Sequence, residues 1–447
     1  MNKHGKTKWI VLLSVAVLLG GLLIGATVSG AFDRLDVDRE VSVILAIFSL
    51  LVLVLFGALL CVVLFAKIDT QVPLTDASSA SEPFPHNDGR FCMLAEIDRK
   101  KESYAGKKYE AEGLTLERIC TEFRNYMASE LGLYYEIGDV RKFIAGLCVS
   151  RILILQGMSG TGKTSLAHAF GSYIDNPATV IPVQPMWKER TDLVGYYNEF
   201  TKRFNETLLL RKMYEANYSE DMYVTVLDEM NIARVEYYFA EFLSLLELPD
   251  AEERYLDVVS DKWENDPEGL VDGRIKLPKN MWFIGTANND DSTFSISDKV
   301  YDRAMILDLD HRGEKFCAPR TERRCLSAEL FENLTEKALC QNAISQRNRR
   351  RLLALDEYLR EHFHMSFGNR IMKQIMEYVP VYISCGGEEL EALDDILSKK
   401  VIRKLQMQNP IYLKSAAQGL RDRLDELFGK DRMPLCKAAV MKFERSV

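Results

Sequence analysis

The 447 residues are 47% apolar and 27% charged, enough for two or three folded units and too apolar for a disordered chain. A formal net charge of −8 argues against binding nucleic acid by overall charge, although a local basic stripe could still do so. Nine cysteines are scattered without a C-x-x-C pair, which indicates neither a zinc site nor a disulfide framework and suits reduced thiols facing a cytosolic environment.

Residues 9–32 and 41–66 are uncharged and mostly apolar, and about 20 such residues cross a hydrocarbon core of roughly 30 Å. Residues 1–67 are therefore expected to form a two-helix transmembrane hairpin. Lys3, Lys6 and Lys8 precede it and Lys67 follows it, while the segment between the runs is more acidic than basic. The positive-inside rule then puts both chain ends, and everything after Lys67, in the cytoplasm. A competing reading takes the first run as a cleaved signal peptide ending at Ser29, Gly30 and Ala31; the second run would still anchor the remainder. Residues 68–113 mix Pro, Ser, Asp and Lys without a sustained period and read as a linker.

From 114 to 147 apolar residues recur at helical spacing, for example Ile119, Phe123, Tyr126 and Met127, which predicts a helical lead-in. The apolar run 152–155 then enters Gly157-Met158-Ser159-Gly160-Thr161-Gly162-Lys163-Thr164, which fits G-x-x-x-x-G-K-[ST] at every fixed position, and 165–173 reads as the helix that leaves it. Backbone N–H groups of Gly157, Ser159, Gly160, Thr161, Gly162 and Ser165 would close round phosphates at a helix N-terminus. Lys163 would reach the β and γ phosphates, and the Thr164 hydroxyl would sit on Mg²⁺.

Three more strands are expected. Residues 179–183 form one, and 222–227 form another ending in Asp228-Glu229, a magnesium carboxylate followed by a general base for water. The third, 281–286, leads to Asn288, which could hold the attacking water, and 298–305 carries Arg303, a candidate for neutralising transition-state charge. Beyond Leu326 the pattern is helical, with Phe367-Gly368-Asn369-Arg370 between two apolar sets. The units expected are thus 1–67, 68–113, a nucleotide-binding α/β domain with its lead-in at 114–325, and a separate helical region at 326–447.

That order of motifs resembles an AAA+ ATPase. Leu227-Asp228-Glu229-Met230-Asn231-Ile232-Ala233 is similar to the D-E-[IM]-N-x-A signature of the dynein-related and midasin-like branch. Asp192-Leu193-Val194-Gly195-Tyr196-Tyr197, Phe239-Ala240-Glu241-Phe242-Leu243 and Ile284-Gly285-Thr286-Ala287-Asn288 resemble segments of McrB-type subunits of methylcytosine-dependent restriction systems. The resemblance implies an αβα sandwich on a five-stranded parallel sheet, a C-terminal helical lid, and a homo-oligomer, usually a hexameric ring with nucleotide between subunits. It assigns Thr164 and Asp228 to Mg²⁺, Glu229 to the catalytic base, Asn288 to sensing the γ phosphate, Arg303 to a neighbour's site, and Arg370 in the lid to bound nucleotide. Where the restriction subunits carry R-R-R-F this chain has Asp302-Arg303-Ala304-Met305, which leaves one candidate finger, and no nuclease constellation is visible.

The resulting expectation is a membrane-anchored ATPase, with ATP and Mg²⁺ as ligands, that remodels or drives an unidentified partner protein. Two alternatives stay open: a nucleotide-gated membrane scaffold with little turnover, and a GTP-using antiphage or restriction-type motor subunit acting with a separate nuclease.

Overall fold

The structure is a computed structural model that describes residues 89–105, 107–288 and 293–445. The apolar runs 9–32 and 41–66 lie outside the described residues, and among the described residues no helix is long and apolar enough to cross a membrane. The chain divides between His86 and Asn87, and the described residues belong to the second unit.

Part of the stretch expected to be a linker is folded. Helix α1 (Met93–Arg99) buries Leu94 and Ile97, and Phe91 beside it is equally buried. Arg90 pairs with Asp266 at 2.7 Å, both side chains only 4% exposed, and lies 4.6 Å from the centre of the Trp263 ring. Seven helical residues with two buried positions are too few to show a period, which is why the sequence reads as a tether.

The lead-in is two helices, α2 (Leu116–Glu130) and α3 (Ile137–Val149). The Thr115 side chain caps α2 by accepting the Arg118 N–H. Strand β1 (Ile152–Gly157) is buried throughout and leads to α4 (Lys163–Tyr173) and β2 (Thr179–Pro182). A hairpin, β3 (Gly195–Asn198) with β4 (Arg203–Glu206), then precedes α5 (Leu208–Ala216) and β5 (Tyr223–Asp228). After α6 (Ala240–Leu245) comes a small antiparallel sheet of β6 (Tyr255–Asp257), β7 (Leu270–Val271) and β8 (Arg274–Lys276). Strand β9 (Met281–Asn288), α7 (Asp298–Tyr301) and β10 (Met305–Asp308) complete the domain.

The main sheet has the order β10-β1-β9-β5-β2, all parallel. Alternation along the central strands sends Leu153, Leu155, Val224, Val226, Trp282 and Ile284 to one face. Ile152, Ile154, Tyr223, Leu227, Met281 and Phe283 go to the other, so helices cover both faces and the strands read as continuous apolar runs. Phe123, Phe143, Phe170 and Tyr173 pack on the first face. Phe239 and Phe242 stack at 4.9 Å on the second, each edge-on to Phe283.

The C-terminal region is helical as expected: α8 (Ala328–Gln341), α9 (Gln346–Phe363), α10 (Gly368–Ser384), α11 (Glu389–Lys400), α12 (Pro410–Phe428) and α13 (Pro434–Arg445). It is less separate than its sequence suggests, because Ile375, Tyr378 and Val379 of α10 share one apolar core with Val140, Phe143 and Leu147 of α3.

Candidate nucleotide site

The phosphate loop joins the carboxyl end of β1 to the amino end of α4, and its glycines are required by conformation. Gly157 has φ 143° and a Cβ there would lie 2.5 Å from the Leu309 carbonyl oxygen. Gly162 has φ 93° and a Cβ would meet the Tyr135 hydroxyl at 2.6 Å. Tyr135 in turn donates to the Gly162 carbonyl at 2.8 Å; burial pushes its hydroxyl pKa up to about 12, so it remains a donor. Arg312 donates to the Gly160 carbonyl at 3.2 Å, bracing the loop from the other side. The buried Lys163 ammonium donates to the carbonyls of Gly157 at 3.1 Å and Met158 at 2.7 Å, held over the loop at the start of an 11-residue helix whose dipole favours anions.

Strand β5 delivers its two acids to this loop. The Thr164 hydroxyl donates to Asp228 Oδ1 at 2.7 Å, and the Thr286 hydroxyl of β9 donates to the same oxygen at 2.8 Å. Thr286 also accepts the Glu229 N–H at 2.8 Å, tying both acids to the neighbouring strand. Glu229 has φ 52° and ψ 45°, a left-handed conformation that costs a non-glycine residue about 1 kcal/mol and turns the chain out of the strand immediately after Asp228. A hydroxyl and a carboxylate oxygen brought together in this way are hard donors of the sort Mg²⁺ takes. In the parallel register Asn288 is the partner of Gly157, which sets it beside the first residue of the loop. The Asn231 amide donates to the Asn288 carbonyl at 2.9 Å, holding the end of β9.

Arg303 and Arg370 are elsewhere. Arg303 precedes β10, whose Met305 is level with Leu153, so it stands at the amino edge of the sheet. Its guanidinium pairs with Glu247 at 2.7 Å and donates to the Lys299 carbonyl at 2.9 Å. Arg370, near the amino end of α10, pairs with the other oxygen of Glu247 at 2.5 Å. Both line a cavity of about 840 Å³ that also contains Ile152, the first residue of β1, whereas the phosphate loop begins at its last. A strand of that length spans roughly 17 Å at about 3.3 Å per residue, too far for either arginine to reach its own loop.

Thr286, Tyr135, Arg312 and Glu247 were not singled out from the sequence. Thr286 lies within Ile284-Gly285-Thr286-Ala287-Asn288, two residues before Asn288, and that spacing puts both side chains on one face of the strand, a signal that could have found it. The other three become legible only when distant segments meet.

Two family models match the chain. Residues 152–304 match the AAA domain of the dynein-related subfamily, and residues 323–447 match a domain of unknown function (DUF8727). Two solved structures are similar at low identity. A candidate ATPase from Cytophaga hutchinsonii is 12% identical with a TM-score of 0.44, covering 74% of this chain and 95% of that one. A full-length MCM homologue from Methanopyrus kandleri is 12% identical with a TM-score of 0.36, covering 71% of this chain and 62% of that one. No curated protein matches the sequence. The strand–loop–helix at Gly157–Thr164 and the Asp228-Glu229 strand end both lie within residues 152–304, the span that matches the AAA domain of the dynein-related subfamily.

Proposed function

We propose that this chain is a membrane-anchored AAA+ ATPase whose subunits assemble into a ring, hydrolyse ATP at shared sites, and use the resulting change of shape to remodel or drive a partner complex. The observation that supports it most is the division of labour across the sheet: Lys163, Thr164, Asp228 and Glu229 meet at the carboxyl edge, while Arg303 stands at the amino edge. An active site whose arginine is at the opposite end of the same domain needs a second copy to complete it.

At its own loop each subunit binds ATP through backbone N–H groups and Lys163. Mg²⁺, when bound, would be held by Thr164 and Asp228 and would neutralise charge on the β and γ phosphates. Glu229 then accepts the proton of an attacking water that Asn288 helps to orient, and the neighbour's Arg303 neutralises the equatorial oxygens as charge spreads over them. The two apolar runs before Lys67 anchor the ring, with its ATPase domains on the cytoplasmic side.

Steady-state turnover of the full-length chain with ATP and, separately, GTP tests this reading. Glu229→Gln keeps the size and polarity of the side chain but not its basicity, and is expected to bind nucleotide while turnover falls by about 10²-fold or more. Near-normal turnover in that variant would remove Glu229 from the role of base, and negligible turnover by the wild type would favour a nucleotide-gated scaffold.

A further inference from the structure

The segment that enters the domain at Gly89 is fastened at three points, all of them outside the five-stranded sheet. The first is Arg90. Its guanidinium holds Asp266 through two nitrogens, Nε to Oδ1 at 2.9 Å and Nη2 to Oδ2 at 2.7 Å, and also donates to the Asp261 carbonyl. It lies 4.6 Å from the centre of the Trp263 ring and 5.8 Å from that of Tyr197 in β3, and both members of the ion pair are buried. The second is the start of α1, where the Glu206 carboxylate of β4 accepts the N–H groups of Cys92, Met93 and Leu94 at 2.7, 2.9 and 2.8 Å. A helix start leaves such donors without partners of its own, and here one side chain of another element takes three of them. Beside it Phe91 stacks on Phe204 of β4 at 4.9 Å, and the Arg90 carbonyl accepts the Phe204 N–H at 2.8 Å. The third is Asp98, which accepts the Tyr214 and Tyr218 hydroxyls at 2.6 and 2.8 Å and the Glu268 N–H at 2.9 Å.

We propose that residues 89–104 are a strap that locks the β3–β4 hairpin and the 261–268 loop into one body, and that this body, rather than the five-stranded sheet, receives the pull arriving from the apolar runs upstream. The lock stands on the contacts above; the source of the pull rests on the membrane-anchor reading. A buried guanidinium fork on a carboxylate resists separation, because drawing the two apart leaves each charge buried without its partner. Arg90 precedes α1, so a pull from upstream reaches Asp266 and Glu206 before it reaches the helix. The loop it grips is closed on itself, since the Trp263 N–H donates to the same Asp266 oxygen at 2.9 Å, and it therefore moves as a unit. On the turn between β3 and β4 stands Phe200, 99% exposed, so the strap sets the direction in which this ring is presented. A change of shape in the sheet would then displace anchor and hairpin together.

Hydrogen exchange of the full-length chain in phosphatidylcholine vesicles tests the lock. Arg90→Ala leaves Asp266 buried without its partner and should speed exchange of residues 195–206 and 261–268 by about 10²-fold, with β1, β5 and β9 unchanged. Asp266→Asn and Glu206→Gln keep the shape and remove one charge each. They should speed the same two segments by about tenfold, and they carry the test if Arg90→Ala does not fold. Faster exchange confined to 89–104 would mean that the segment rests on the domain without holding it, and would overturn the proposal. A uniform rise that includes β1, β5 and β9 would overturn it as well, because strap and sheet would then open as one unit. The source of the pull is tested separately on the wild type, which should stay with the vesicles through an alkaline carbonate wash. Release by that wash would overturn the anchor and the pull with it, and the selective exchange pattern would still uphold the lock.

Discussion

A single ammonium separates a glycine-rich turn from a polyphosphate site. Lys163 is buried, sits at the first turn of α4, and donates to the carbonyls of Gly157 and Met158 in the loop. Two charge-assisted hydrogen bonds to phosphate contribute about 3 kcal/mol, so Lys163→Ala is expected to weaken binding by roughly 10²-fold. Equilibrium binding of a fluorescent ATP analogue measures it, and unchanged affinity would refute the loop assignment. Glu229 is the other residue whose surroundings speak to its role. Its left-handed backbone is a small, local cost at the residue that follows the Asp228 carboxylate, and such strain gathers where a side chain must be aimed. The loop and the two acids were legible as residues because chemistry requires those types at that spacing. The Thr286 hydroxyl that joins them was not, since a threonine in a strand is ordinarily a packing choice.

Among the elements, α11 carries a group whose protonation couples the helical region to the sheet. Lys400, at its last position, is almost fully buried and donates to the carbonyls of Tyr301 at 2.6 Å and Ala304, the residues that lead into β10. Burial lowers its pKa to about 7; Asp302 opposes that shift, while Lys404, Arg403 and Arg370 add to it. Below about pH 7 the folded and unfolded chains both carry the charge, and the cost of burying it is present in full. Between about 7 and the ordinary value of 10.5 the unfolded chain keeps a proton that the folded chain has lost, so this group makes stability rise with pH across that window. Denaturant unfolding at pH 7, 8 and 9 should show Lys400→Met lacking a rise on the order of 1 kcal/mol per pH unit that the wild type has. Equal slopes would place the titration elsewhere.

Elements differed in how readily they could be foreseen. Helices α2 and α3 repeat their apolar residues often enough to declare a period, and β1, β5 and β9 are apolar on both faces because both faces are covered. Strand β10 is four residues long and the strands β6, β7 and β8 are two or three, too short for alternation to register. The β3–β4 hairpin turns through Asn198 and Lys202, the latter at φ 55°, without the Asn-Gly or Asp-Gly pair that would announce it.

At the scale of the molecule, the boundary of the folded unit lies earlier than Leu114, the start suggested by helical periodicity. Phe91, Leu94 and Ile97 are within 1% of complete burial and Arg90 neutralises Asp266. A fragment beginning at Asn87 should remain in the supernatant after an alkaline carbonate wash, because the long apolar runs precede it, and should bind nucleotide. One beginning at Leu114 loses three buried side chains worth about 2 kcal/mol each and leaves Asp266 without its arginine, so it should unfold at distinctly lower denaturant. Equal stability of the two fragments would mean that 89–105 merely rests on the domain.

What the sequence determined by itself was everything whose meaning is local. A phosphate loop is eight consecutive residues between a strand and a helix, Asp228 and Glu229 are adjacent, and a long apolar run declares its hydrophobicity whatever surrounds it. The tertiary structure alone decided which distant residues share a site. Parallel register set Asn288 against Gly157 and raised Arg303 to the opposite end of the sheet, and docking of α10 on α3 brought Arg370 to the carboxylate of Glu247. No period or spacing encodes these meetings, because each depends on how two independently formed elements pack, and packing is settled by the summed fit of many side chains.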